Sequence, residues 1–315
     1  MDCKNWRGLA IGSTFLKVCM SIILSRTARW YNATLHPAQA GFRRGYGCST
    51  ASYTLHQLHH VYKRAKKPLW GLFLDFKAAY DWLKRQDVFQ AIYNRIGDCP
   101  ELRAHFEIIE NLYRDTKSRL SDDPEGEASY FTSTSGLRQG GSESPAAYNL
   151  LADALFRDFE RECQKEGIGA KIRFKLPTEV ANDADCAEEQ EFLLCLLGYA
   201  DDTVIFAESA EELQKAADIM ARLLELYGLH LSVEKKSIEF LPVKRKKGKK
   251  FDSEQAHIQM NGSYVEHVRA FKYLGSFKSD EDPGVNDQEI HRDRSPIPMR
   301  KSAIGSGLQL ANSME

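Results

Sequence analysis

The sequence predicts an α+β fold, on three observations. Amphipathic helical spacing recurs along most of the chain, short apolar runs of strand length interrupt it, and one pair of those runs flanks a tight polar tip. With 315 residues, 43% of them apolar, the chain is long enough to bury a sizeable core, at a length typical of two domains.

The first third is mostly helical. Phe15, Val18, Cys19, Ile22 and Ile23 repeat at helical spacing, as do Ala51, Leu55, Leu58, Tyr62 and Ala65. After Pro68 the pattern changes to an apolar run, 69–74, closed abruptly by Asp75, which suits a buried strand. Val88, Phe89, Ile92, Tyr93 and Ile96 restore a helix that Gly97 can cap, and a further helix follows Pro100 through Leu102, Phe106, Ile109, Leu112 and Tyr113. Residues 121–126 read as a turn and 130–134 as a short strand. The loop 136–145 then opens a helix, with Ser144 expected at the N-cap, Pro145 at the first helical position, and Tyr148, Leu151, Leu155 and Phe159 on its apolar face. Residues 177–190 are acidic and irregular, an expected surface excursion.

Two apolar runs, 192–197 and 203–207, flank Gly198-Tyr199-Ala200-Asp201-Asp202 and read as a β-hairpin. Ser209 and Glu212 form a capping box for a helix placing Leu213, Ala216, Ala217, Met220, Leu223, Leu224 and Tyr227 on one face, ending at Gly228. Beyond Phe277 the chain turns polar and loses periodicity.

Charge is nearly balanced, 43 basic against 44 acidic residues, which excludes a uniformly basic nucleic-acid coat. The balance conceals a local patch: Lys244 to Lys250 hold six positive charges, leaving the rest of the chain at −7. That run reads as a nuclear address, a phosphate-contacting hairpin tip or a solvated loop. The best apolar run, Val18 to Leu24 with Ser21 inside it, is far shorter than a membrane span, and the first twenty residues lack a signal-peptide core. Seven cysteines without a C-x-x-C pair predict reduced thiols and an intracellular protein, nuclear or cytoplasmic. His56, His59 and His60 share a helical face; with no carboxylate or cysteine partner, a polar face is expected rather than a metal clamp.

The chemistry gathers at carboxylates. Asp75 closes a buried strand, and Asp201-Asp202 sits at a hairpin tip. If the two are neighbours in one sheet, hard oxygen ligands converge at a density suited to Mg²⁺, and two such ions support an in-line phosphoryl displacement. Adjacent side chains on a strand point to opposite faces, which makes Asp201 the better ligand of its pair. Taken alone, an Asp-Asp pair is more often a solvated turn.

Three blocks change that balance: L-F-L-D-F-K-A-A-Y-D (72–81), G-L-R-Q-G-G-S-E-S-P (136–145) and Y-A-D-D (199–202). With W-R-G-L-A-I-G-S-T-F-L-K (6–17), Q-A-G-F-R-R-G (39–45), G-L-H-L-S-V-E-K (228–235) and F-K-Y-L-G (271–275), they make seven blocks in order. In these blocks the chain resembles the reverse transcriptase domain of non-LTR (LINE-type) retrotransposons, with group II intron maturases as the nearest relatives in the polymerase class.

The resemblance implies an α+β right-hand polymerase of fingers, an antiparallel palm sheet carrying the YADD hairpin, and a truncated thumb. Its division would be 1–70 fingers, 71–85 the palm strand with the first aspartate, 86–135 fingers and palm helices, and 136–242 the rest of the palm. Residues 243–277 would hold the basic loop and primer grip, and 278–315 a truncated or disordered thumb remnant.

It further implies that Asp75 and Asp201 bind two Mg²⁺ ions with the Phe76 carbonyl, that Asp202 assists, and that Lys235 supplies a proton to the leaving pyrophosphate, unless neighbouring Lys236 does. Arg43 would hold the dNTP triphosphate, with Arg44 sharing that role or solvated. Tyr80 would be the steric gate against a ribose 2′-hydroxyl, its alternative being a core aromatic, and Gln139 would lie near the template base and incoming nucleotide. Phe271, Lys272, Tyr273, Leu274 and Gly275 would grip the primer end. RNA template, DNA primer and dNTP are the implied partners, with no membrane. A catalytically inactive remnant that only binds nucleic acid is the alternative suggested by the short tail, and a palm-type cyclase would share the metal logic without needing the Gln139 loop, the gate or the primer grip.

Overall fold

The computed structural model describes residues 9–76, 79–114, 116–118, 130–175, 189–229, 231, 238–243, 257–268, 270–274 and 276–279. The chain divides into two units, Met1–Glu281 and Asp282–Glu315, and every described residue belongs to the first. The expected turn at 121–126, Lys235 and Lys236, the basic run 244–250, Gly275 and the thumb remnant from Asp280 onward lie outside the described residues, as does the side chain of Lys272.

Helices α1 (Thr14–Thr34) and α2 (Cys48–Ala65) precede strand β1 (Leu69–Asp75), the short α3 (Ala79–Trp82), α4 (Arg85–Ile96) and α5 (Pro100–Arg114). Strands β2 (Lys117–Ser118) and β3 (Phe131–Thr132) make a small ladder before the long α6 (Ser144–Glu166). Then follow β4 (Ala170–Lys175), β5 (Glu189–Leu194), β6 (Leu196–Tyr199), β7 (Asp202–Ala207) and α7 (Ala210–Leu226). The described part closes with β8 (Ile238–Val243), β9 (Gln259–Met260), β10 (Ser263–Tyr264), β11 (Glu266–His267), β12 (Ala270–Tyr273) and β13 (Ser276–Ser279).

The central sheet runs β11-β8-β1-β7-β6, antiparallel except for the β11–β8 edge pair. β1 is its middle strand, and six of its seven residues are buried, which explains a near-continuous apolar run rather than an alternating one. Trp70, Leu72 and Leu74 enter a core built with α4, α6 and α7. Leu69 and Phe73, one step out of phase, enter a second core with Ala51, Leu55, Leu58 and Tyr62 of α2. Each such large apolar side chain contributes about 1.5–3 kcal/mol of burial. The strand is thus fixed on both faces up to the residue that emerges, Asp75.

The structure corrects three expectations from the sequence. Phe15, Val18 and Ile22 of α1 are exposed; the buried face is Met20, Ile23, Thr27 and Tyr31, the Thr27 hydroxyl being satisfied by the Ile23 carbonyl at 3.2 Å. An apolar period fixes the helix, and here the packing selects a different side of it. The run 192–197 is not one strand: it breaks at Cys195, β5 leaving to pair with β4 and β6 continuing beside β7. The Cys195 carbonyl still accepts from Phe206 N–H at 2.9 Å, so the ladder survives the change of direction.

Ser144 does not cap α6 but is its first residue, with Glu143 at the cap position. The Ser144 hydroxyl instead donates to the Arg138 carbonyl at 2.7 Å and lies 2.9 Å from the Tyr113 hydroxyl, holding the glycine loop onto α5. Ser209 caps α7 as expected, accepting from Glu212 N–H at 3.1 Å, while Glu212 reaches back one residue further than the cap, to Glu208 N–H at 2.9 Å.

A buried acid ties the helices together. Asp153 of α6, fully buried, accepts from Arg95 Nε at 2.8 Å, Arg157 Nε at 3.0 Å and His36 N–H at 2.5 Å. Both arginines also donate to the Thr34 carbonyl, so one hub joins the end of α1 to α4 and α6.

Candidate active site

The register of the sheet brings the carboxylates together. Asp75 of β1 lies directly opposite Asp202 of β7, and Tyr199 opposite Asp202 leaves Ala200 and Asp201 as a two-residue turn. Directly paired residues share a face, so Asp75 and Asp202 lie on the side of Phe73 and Val204. The sequence singled out Asp201 as the better ligand of its pair; in the ladder it is Asp202 that lies opposite Asp75, with Asp201 in the turn beside it. The Asp201 carbonyl accepts from Phe76 N–H at 3.4 Å, joining the end of β1 to the turn, and the Phe76 ring is buried.

Burial, then the charges of Asp201 and Asp75, push the Asp202 carboxyl up to about 6. Below the turn, Tyr80 of α3 and Tyr148 of α6 stack with ring centroids 5.1 Å apart and planes 20° from parallel. Both phenols are held well above their ordinary value, by burial first and by Asp201 second, and Tyr148 feels Asp202 and Asp75 as well. Tyr148 is fully buried, so the charge of Asp201 reaches it through an interior of low dielectric.

Three clustered acids, one of them holding its proton unusually tightly, form a donor set suited to a hard divalent cation. Among the described residues no group of three or more His, Cys, Asp or Glu side chains forms a ready-made metal cage. An ion such as Mg²⁺ needs only one or two carboxylates when substrate phosphates supply other ligands, so the residues present fit it. The His56, His59 and His60 face forms no such cage either; His59 is buried and His60 exposed.

The glycine loop builds one wall. Gly136, at φ +75°, sits where a Cβ would meet the Tyr80 and Asp81 carbonyls at 2.7 and 2.8 Å, and Leu137 N–H donates to the Tyr80 carbonyl at 2.6 Å. Only glycine allows that approach. The loop thereby fixes the short helix that carries Tyr80, whose hydroxyl is buried without a partner among the described residues. The Oε1 of Gln139 is likewise buried and unpartnered there, while its backbone carbonyl accepts from Ala10 N–H at 2.7 Å. Orphaned polar atoms at a cleft are where a ligand gains most from binding.

Other expected residues are placed less openly. Arg43 donates from Nη1 to the His36 carbonyl at 3.3 Å and from Nη2 to the Asn32 carbonyl at 2.9 Å, and its guanidinium lies over the Tyr46 ring at 4.3 Å. The exposed Arg44 has no side-chain partner among the described residues, which leaves it the freer of the two. Phe271 stacks on Phe73 at 3.9 Å, and Tyr273, 2% exposed, packs 5.9 Å from the same ring with its hydroxyl unpartnered among the described residues. Burial, then Asp202, raises the Tyr273 phenol. Phe271 and Tyr273 therefore serve as packing beneath the β12–β13 turn, and Leu274, at φ +47°, is the described residue of the turn itself.

Sequence reasoning missed two contributors. Tyr148 reads in the sequence as an apolar-face residue of α6. Gln39, fully buried, accepts from Ala200 N–H at 3.0 Å and Gly41 N–H at 2.9 Å. The signal for Gln39 was an amide between two alanines beside a glycine, in a block quoted for other residues.

The model of the family described as reverse transcriptase (RNA-dependent DNA polymerase) matches residues 1–276. The chain belongs to the reverse transcriptase family. The Pol polyprotein of the type-2 retrotransposable element R2DM of Drosophila melanogaster is 25% identical over 235 residues, 74% of this chain and 19% of that protein. The Pol polyprotein of the type-1 retrotransposable element R2 of Nasonia vitripennis is 24% identical over 283 residues, 87% of this chain and 24% of that protein.

The chain thus spans about a fifth to a quarter of these relatives, and its expected kinship with non-LTR retrotransposon reverse transcriptases is borne out. Among solved structures, apo telomerase of Candida tropicalis truncated from its C-terminal domain is similar at TM-score 0.51 and 13% identity, covering 83% of this chain and 45% of that one. Telomerase of the same organism with a fragment of telomeric RNA gives 0.50 and 14%, covering 75% and 34%. At that identity the likeness is one of fold, the right-hand α+β architecture expected. No helix among the described residues is long and apolar enough to cross a membrane.

Proposed function

We propose that this reverse transcriptase domain adds dNTPs to a primer 3′-hydroxyl on an RNA template, using two Mg²⁺ ions held by Asp75 and Asp201 with Asp202 assisting. One observation carries the reading: three carboxylates converge at a strand end and a hairpin turn, Asp75 opposite Asp202 in the ladder and Asp201 in the turn beside them. Bound there, the ions would lower the charge on the attacking hydroxyl oxygen and on the departing pyrophosphate. The chain's own share is positioning. The sheet holds Asp75 and Asp202 in fixed register, the turn presents Asp201, and the Phe76 carbonyl at the end of β1 is the further oxygen in this reading.

Tyr80, clamped by Gly136, presents its ring beneath the sugar and rejects a 2′-hydroxyl by contact. The free amide oxygen of Gln139 faces the nucleotide, Arg44 together with Arg43 holds its phosphates, and Lys235 returns a proton to pyrophosphate. The segment 271–275 supports the primer from the turn that follows Tyr273. On this reading 1–70 are fingers, 71–85 and 136–242 palm with the helices of 86–135 between, 243–277 the basic loop and primer grip, and 278–315 the start of a thumb.

The test is extension of a single primer on an RNA template with Mg²⁺, comparing dNTPs with rNTPs. Extension with dNTPs alone supports the reading. Absence of extension by a folded chain that still binds the template–primer would refute it and make the chain a nucleic-acid-binding remnant.

A further inference from the structure

The turn that carries Asp201 is held from outside its own sheet. Ala200, 5% exposed, has φ +57°, a left-handed conformation that a residue with a Cβ adopts only when its surroundings impose it. The imposing group is Gln39, 161 residues away and fully buried. Its Oε1 accepts from Ala200 N–H at 3.0 Å and from Gly41 N–H at 2.9 Å, and its Nε2 donates to the Ala200 carbonyl at 3.4 Å. One amide thus satisfies both polar groups of the strained residue.

The backbone around it is laced to the same hairpin. Ala40 N–H donates to the Gly198 carbonyl, and Gly198 N–H to the Ala38 carbonyl, each at 2.9 Å. Gly41 lies so close that a Cβ there would meet Ala200 N at 2.2 Å. Asn149, fully buried in α6, closes the arrangement by donating to the Gly41 carbonyl at 2.7 Å. The loop carrying Arg43 and Arg44 and the turn carrying Asp201 are therefore one hydrogen-bonded unit.

We infer that Gln39 is a positioning residue for Asp201, its side-chain amide locking the Ala200 turn so that this carboxylate is preset beside Asp75 and Asp202 before a cation or nucleotide arrives. The inference rests on the polymerase reading of the carboxylate site. A glutamine is suited to the task because it offers an acceptor and a donor from one planar group without placing a further charge among three acids.

The experiment uses the full chain and Gln39→Met, which keeps the length of the side chain and removes its hydrogen bonds. Template–primer binding is expected to stay within a few-fold. The rate of single-nucleotide addition at saturating dNTP should fall about a hundredfold, the usual cost of a displacement near 1 Å at a reacting centre. Half-saturation by Mn²⁺, read by electron paramagnetic resonance without nucleotide, should rise about tenfold, which loss of general stability in a still-folded chain does not produce.

Unchanged Mn²⁺ affinity and rate would overturn the inference, as would loss of template binding in parallel with rate. Should Gln39→Met not fold, amide exchange in the unaltered chain decides: exchange of Ala200 and Gly41 N–H slowed about a thousandfold or more supports the lock, and exchange at the unprotected rate overturns it. If the unaltered chain adds no nucleotide, the polymerase reading fails, and Mn²⁺ affinity with amide exchange still judges Gln39.

Discussion

Replacing Gly41 by alanine should damage the catalytic turn without touching an acidic residue. The added Cβ would lie 2.2 Å from Ala200 N, 2.9 Å from Ala200 Cα and 3.0 Å from the Tyr199 carbonyl carbon. All three are backbone atoms of the hairpin, so no side chain can swing away to make room. Restoring ordinary contact requires the turn to retreat by about 1 Å. Overpacking of that kind costs about 1–3 kcal/mol, and the displaced Asp201 should lower nucleotide addition about a hundredfold.

Gly97→Ala is the contrasting control: Gly97 has a positive φ, +61°, which Gly41 does not, and nothing lies within 4 Å of its Cβ position. It should cost about 1–3 kcal/mol through backbone strain alone and leave the reaction rate unaltered. Urea denaturation and single-turnover primer extension on both variants give the comparison. Equal rates for Gly41→Ala and Gly97→Ala would refute the claim that the turn's position is set by its contact with the 38–41 segment.

Further outcomes follow from the same geometry. Tyr80→Ala should lower discrimination between dNTPs and rNTPs about tenfold or more in competition assays, because the ring under the sugar is removed. Asp153→Asn should cost about 3–5 kcal/mol in urea denaturation, since the Arg95 and Arg157 guanidiniums would lose their charged partner. Asp202 gives a pH dependence with an unusual sign. Its folded value, about 6, lies above the ordinary carboxylate value, so its contribution to stability is full below about pH 4 and is lost as pH rises through 6. In metal-free protein that loss should amount to about 1–2 kcal/mol after allowance for solvent screening, and Asp202→Asn should remove it, as thermal melts across pH 4–7 would show.

The fold was legible where one physical signal dominated. The apolar run ending at Asp75 suited a buried strand, and the strand is buried on both faces; Ser209 and the apolar face that follows it specified α7 almost to the residue. Legibility failed where tertiary packing chose between equivalent local answers. Helix α1 has two apolar sides, and only docking against α5 shows that Met20 and Ile23 point inward while Phe15 and Val18 do not. Ser144 has the chemistry of a cap but spends its hydroxyl on the Arg138 carbonyl, a partner that exists only once the loop has folded back.

The site divides the same way. Asp75, Asp201 and Asp202 were readable from type and spacing, but not that Asp75 would pair with Asp202, because register is a property of the sheet. Gln39 was unreadable as a site residue because its partner, Ala200, carries no functional group and lies 161 positions away. For Arg43 and Tyr273 nothing in the sequence pointed to the neighbours that hold them, the His36 and Asn32 carbonyls and the Phe73 ring, because those contacts exist only in the folded chain.

Rapid-quench addition of one dNTP to a primer on an RNA template shows whether these three acids perform nucleotide transfer. The unaltered chain should be compared with Asp75→Asn, Asp201→Asn and Asp202→Asn, each shown to be folded and to bind template–primer. Addition by the unaltered chain is expected, with a loss of about a thousandfold or more for Asp75→Asn and Asp201→Asn and a smaller loss for Asp202→Asn. Addition at the unaltered rate by Asp75→Asn or Asp201→Asn would contradict that role.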